Sequence, residues 1–167
     1  MMTPMKTLLI ALAALSMTSC NSLPKQSSER AEYAFLRGYA DLAMEQFHLQ
    51  YLGLTTPPGE NINCFGARFM TRELHTLDEA RTLVKSSAKV FVQEANKNNR
   101  LKKYFKNETF DIDQLDYYIS FWDENTDRPP KPYVALATVK DGKITYYFKR
   151  DDSEFLDDNA SIIENYQ

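Results

Sequence analysis

Two residues, Asp141 and Gly142, decide how the C-terminal half of this chain is built. A two-residue turn of this composition takes positive backbone angles that match the twist of two antiparallel strands. Residues 133–140 and 143–149 read as those strands, and the turn sets their register. Lys140 faces Lys143 beside the turn; Val139 faces Ile144, Ala137 faces Tyr146 and Ala135 faces Phe148 on an apolar side. The other side pairs Thr138 with Thr145, Leu136 with Tyr147 and Val134 with Lys149, a mixed surface.

The hairpin has a third neighbour upstream. Leu115, Tyr117, Ile119 and Phe121 alternate with Tyr118, Ser120 and Trp122, the period of a strand. Thr76-Leu77-Asp78-Glu79 has the form of a capping box, and Ala80, Leu83, Val84, Ser87, Ala88, Phe91 and Ala95 continue an apolar helical face to about Asn96. Ile62 to His75 alternates partly and predicts a strand, with Gly66 as a bulge. Leu36, Ala40, Ala43, Met44, Phe47, Tyr51 and Leu54 predict an N-terminal helix over 30–52, followed by a turn from Thr55 to Asn61. A short terminal helix is expected around Ala160 to Tyr166. The fold class is α+β: an antiparallel sheet of about four strands, with the capped helix on one face and an N-terminal helix besides.

The 167 residues, 43% apolar and 26% charged, suit one folded domain, expected over 30–167. The net charge is -3, and no basic stripe with interleaved aromatics runs along the sequence, which argues against nucleic acid as a partner. Nothing in the residues calls for a cofactor or a metal.

The first twenty residues carry an address. Lys6 supplies a positive start and Leu8 to Leu15 an apolar run, too short for the roughly 20 residues that span a bilayer. Ser16, Met17, Thr18, Ser19 and Cys20 follow, and this resembles the lipobox of bacterial lipoproteins. The resemblance implies a signal peptide over 1–19, lipidation at Cys20 with acyl chains such as palmitate, and a tether over 20–29. Two or more chains hold a protein stably on a membrane. Asn21, in place of the aspartate that retains such proteins in the inner membrane, points to the outer membrane. With Cys20 lipidated, Cys64 has no second cysteine for an internal disulfide.

Further motifs carry a second resemblance. Gly53-Leu54, Phe65-Gly66, Leu77-Asp78-Glu79-Ala80-Arg81, Tyr104-Phe105 and Thr109-Phe110 look like those of a family of small uncharacterised bacterial lipoproteins, over roughly the last two thirds of the chain. These motifs are caps and core positions, and the family brings no activity to transfer. A helix on an antiparallel sheet is also similar to cystatin-like folds, which is fold analogy alone.

The candidate sites are few. Cys64 with His75 is a conceivable nucleophile and base, but no orienting group is evident, and a buried structural cysteine is the better reading. Asp111, Asp113 and Asp116, like Asp151 to Asp158, read as solvated loop acids rather than cation ligands. Arg128 to Pro132 stiffens the entry to a strand. Tyr118, Trp122, Leu136 and Tyr147 share the second sheet face and form a binding patch if exposed; the N-terminal helix, which must bury its own stripe, is expected to cover them.

These features favour a membrane-anchored envelope lipoprotein of non-enzymatic type, a protein-binding or structural module whose partners are the membrane, through lipid, and an envelope protein. The alternatives are a cysteine-dependent hydrolase using Cys64, and an inhibitor of secreted proteases or lysozymes.

Overall fold

The computed structural model of the chain describes residues 28–55, 62–125 and 127–166. The expected signal peptide, Cys20, the expected tether up to position 27 and residues 56–61 of the expected turn lie outside the described residues. The elements run α1 (Ser28–Phe47), β1 (Gln50–Leu54), β2 (Ala67–Thr71), α2 (Leu77–Lys97), β3 (Tyr117–Phe121), β4 (Leu136–Lys140), β5 (Lys143–Lys149) and β6 (Leu156–Asn165), with 3-10 turns at Lys102–Tyr104 and Ile112–Gln114. No helix among the described residues is long and apolar enough to cross a membrane.

The fold class is α+β, but the sheet is larger than the expected four strands and is not wholly antiparallel. Six strands lie in chain order from β1 to β6; β2 and β3 are parallel and every other neighbouring pair is antiparallel. The reason is topological. A strand, a crossover helix and a second strand returning beside the first point the two strands the same way, and α2 is that crossover.

Both sheet edges depart from expectation. α1 stops at Phe47 because His48 turns left-handed (φ 54°), with its N–H donating to the Met44 carbonyl at 3.2 Å and that of Leu49 to Ala43 at 3.1 Å. Tyr51 keeps helical spacing from Phe47, yet it lies in β1, its ring 5.8 Å from that of Phe69. The bulge falls in β1, between Tyr51 and Gly53, and not at Gly66. The expected terminal helix is instead β6, which pairs Tyr146 with Ile162 and Lys143 with Asn165. Strand pairing wins there because the exposed backbone of β5 offers a ladder that a short helix could not use. Tyr166 then closes the end, its N–H donating to the Gly142 carbonyl and its hydroxyl to that of Lys85, each at 2.8 Å.

The hairpin forms as its turn dictates. Asp141 and Gly142 have φ of 50° and 69°, and the register pairs Lys140 with Lys143, Val139 with Ile144, Ala137 with Tyr146, Thr138 with Thr145 and Leu136 with Tyr147. The cap of α2 also forms: the Glu79 carboxylate accepts from the Thr76 N–H and hydroxyl, each at 2.8 Å.

Both helices lie on one face of the sheet. Phe91 of α2 is the hub of the core, with the rings of Phe35, Tyr39, Phe65 and Tyr117 at 5.2, 4.8, 5.5 and 5.6 Å. Tyr39 donates its hydroxyl to the Ser87 carbonyl at 2.8 Å, tying α1 to α2. The expectation that α1 covers the second face is therefore wrong. Its stripe of Phe35, Leu36, Tyr39 and Ala43 is already buried beside α2 and over β2.

Candidate functional site: the open sheet face

Strand alternation sorts the sheet into two surfaces. Phe69, Tyr117, Ile119, Phe121, Ala137, Val139, Ile144 and Tyr146 are buried under the helices. Facing the other way, Arg68, Tyr118, Thr138, Thr145 and Ile163 form one cross-strand row, and Met70, Ser120, Leu136 and Tyr147 the next. Trp122 continues β3 beyond that second row. No helix or strand among the described residues lies over this face.

The four residues singled out in the sequence thus come together. Tyr118, Trp122, Leu136 and Tyr147 are each half-buried, flanked by one another. Two arginines join them. The guanidinium of Arg68 lies 5.7 Å from the Tyr118 ring centroid, and that of Arg128 lies 5.3 Å from that of Trp122. Such stacking contributes about 0.5–1 kcal/mol at exposed sites and holds a planar donor fork above each ring. The alternation of β2 is a signal that could have found Arg68. Nothing in the sequence points to Arg128, which reaches Trp122 from a loop.

One end of the face differs from the expectation of solvated acids. Asp116 is buried, and its Oδ1 has no hydrogen-bond partner. Its backbone carbonyl accepts from the Thr55 hydroxyl at 2.8 Å. Burial, then the charge of Asp116, pushes the Tyr118 phenol above its ordinary value. Asp111 caps the second 3-10 turn, where its N–H donates to Gln114 Oε1 at 3.0 Å.

Cys64 and His75 do not meet. They lie beyond opposite ends of β2, so that strand alone separates them by roughly 13 Å. Cys64 is half-buried rather than buried, and burial, followed by the Asp116 charge, pushes its thiol up, the reverse of an activated nucleophile.

His75 instead joins His48 in a groove of about 690 Å³ between the end of α1 and the start of α2. His48 Nδ1 lies 2.8 Å from Glu73 Oε1, and His75 Nδ1 lies 2.8 Å from the Glu73 carbonyl oxygen. A carbonyl only accepts, so Nδ1 of His75 carries the proton and Nε2 is its basic nitrogen. The ring of His75 rests 5.2 Å from that of Phe121. No group of three or more His, Cys, Asp or Glu side chains among the described residues is placed to hold a metal ion.

No protein-family model matches the chain, and no curated protein and no solved structure is detectably similar to it.

Proposed function

We propose that this chain is a lipid-anchored lipoprotein of the bacterial envelope, non-enzymatic, that binds a partner protein through the open sheet face. The reading of the anchor rests on the leader sequence: a short apolar run ending in Ser19-Cys20, with Cys20 the lipidated residue and Asn21 favouring the outer membrane. The binding reading rests on one structural observation, that Tyr118, Trp122, Leu136 and Tyr147 share a face over which no described helix or strand lies. Tryptophan, tyrosine and arginine are the residue types that carry most binding energy at protein interfaces, and here they are adjacent.

The anchor fixes how far the domain can stand off. Eight chain steps join Cys20 to Ser28, at most about 28 Å when fully extended. A hydrolase using Cys64 has little support, given the separation from His75 and the raised thiol.

Two measurements test the proposal. Mass spectrometry of the protein purified from cells should find Cys20 acylated and residues 1–19 removed; an unmodified thiol there would end the lipoprotein reading. Crosslinking in whole cells should recover a partner with the wild-type chain and lose it with Trp122→Ala and Tyr147→Ala together. A partner retained by that folded double variant would remove the assignment of the face.

A further inference from the structure

Charge is sorted across this molecule in a way its totals conceal. The chain carries more acids than bases, 23 against 20. Yet the strand positions of the open face carry Arg68, Lys140, Lys143 and Lys149, with Arg128 above Trp122. Asp116 on this side is buried, and Asp158 of β6 is exposed and lines a groove with Arg128 and Glu154 without pairing with the arginine. Acids appear again at the rim of the face, where Glu154 lies 2.6 Å from Lys149. Neither Arg68 nor Arg128 has a carboxylate within ion-pair distance among the described residues.

The same face is also apolar. Leu136 and Tyr147 form a strip between the two stacked arginines, Ile163 is 64% exposed on β6, and Phe155 is 74% exposed at the rim. A phosphate-rich polymer would satisfy the cations and leave this strip in water. An uncharged apolar segment would cover the strip and leave the guanidinium forks with no acceptors. A polypeptide that presents both carboxylate and apolar side chains on one side meets both requirements, because residues two apart in an extended segment share a side and can be of either type.

We infer that the open face docks an acidic polypeptide segment interspersed with large apolar side chains, held by carboxylates on Arg68 and Arg128 and by apolar contact with Leu136, Tyr147 and Trp122. This rests on the face being a protein-binding surface, and it adds the chemistry of the partner. Opposite charge across an interface speeds association and weakens with salt.

Trp122 is the only tryptophan in the chain, so its emission reports on this face directly. The full chain in mild detergent is titrated with a synthetic peptide repeating Glu-Ser-Leu-Ser, which when extended sets glutamate and leucine on one side, with its lysine-for-glutamate counterpart, with inorganic polyphosphate and with phosphatidylglycerol vesicles. The glutamate peptide should shift the emission saturably and bind about tenfold or more tightly than the lysine peptide. Added salt, or Arg68→Glu with Arg128→Glu in a chain of unchanged circular dichroism, should weaken it by about the same factor. Equal binding of the two peptides, tighter binding of polyphosphate or vesicles, no response to the glutamate peptide, or a dimer that buries Trp122 without any probe would each overturn the inference. Binding at Trp122 that ignores charge sign removes the acidic partner and keeps the docking face. A cellular partner indifferent to Trp122→Ala and Tyr147→Ala removes the face itself.

Discussion

Gly66 lies flat against the main chain of Asp116: a Cβ on the glycine would sit 2.5 Å from the Asp116 carbonyl carbon, with the carbonyl oxygen nearer still. The approach is held by a parallel bridge in which the Phe65 N–H donates to the Gln114 carbonyl at 2.9 Å and the Asp116 N–H to that of Phe65 at 3.2 Å. Neither segment can yield without losing one of these bonds. Gly66→Ala should therefore cost about 2–3 kcal/mol through overpacking, read as a lower urea midpoint at unchanged slope. An alanine variant as stable as the parent would show that the two backbones can part freely.

Tyr146 gives the opposite kind of variant. It is fully buried, and its hydroxyl has no hydrogen-bond partner. Tyr146→Phe removes a desolvated polar group at nearly constant volume and should raise stability by about 1 kcal/mol at neutral pH. A loss of stability would mean that the hydroxyl is satisfied in solution.

Alkaline pH adds a second measurement on the same residues. Burial pushes the phenols of Tyr117 and Tyr146 up to about 12, whereas unfolded tyrosine titrates near about 10. Above that value the unfolded chain gives up protons that the folded chain keeps, so stability is whole below about pH 10 and falls as pH rises towards about 12. Urea unfolding at stepped pH should show this decline, and Tyr146→Phe should make it shallower. A flat profile across that window would contradict the burial of both phenols.

The cap of α2 has its own pH signature. Thr76→Ala removes the hydroxyl that donates to Glu79 and should cost about 1 kcal/mol. The Glu79 carboxyl is held below its ordinary value, chiefly by the Thr76 N–H and then by its hydroxyl. A lowered carboxyl contributes above its unfolded value of about 4.3 and ceases to contribute as pH falls through the lower folded one. The advantage of the parent over Glu79→Gln should be present at pH 7 and vanish in acid; an advantage that survived in acid would locate it elsewhere.

For Cys64, the raised thiol predicts slow alkylation by iodoacetamide at neutral pH relative to a free small-molecule thiol, with a rate that climbs as pH rises. Rapid labelling at neutral pH would revive the hydrolase reading.

The sequence revealed most where short-range chemistry decides structure. Asp141-Gly142 fixes the pairing of β4 with β5 through local backbone angles, and Thr76 with Glu79 opens α2 by a contact three residues long. Where partners are distant, pattern misled. Tyr51 and Leu54 keep helical spacing from Phe47, but one left-handed residue at His48 redirects the chain, and Tyr51 finds Phe69 instead. Residues 160–165 have no strong period of their own and become a strand because β5 offers them a ladder. The four members of the open face were readable from alternation in β3 and from the hairpin register. Their exposure was not, since it depends on α1 burying its stripe beside α2, a preference between two surfaces that no local pattern encodes. The basic character of the face was equally hidden, as its cations come from three strands and a loop far apart in the chain.

The parallel seam between β2 and β3 also orders events in time. The β4–β5 hairpin closes over two residues, but β2 must wait for all of α2 and both 3-10 turns before β3 exists to receive it. Loop closure over such a distance is slow compared with hairpin formation. In a chain emerging N-terminus first, Phe69 and Phe91 therefore remain without Tyr117, and the first half of the molecule keeps a sticky, half-built interior until its second half arrives.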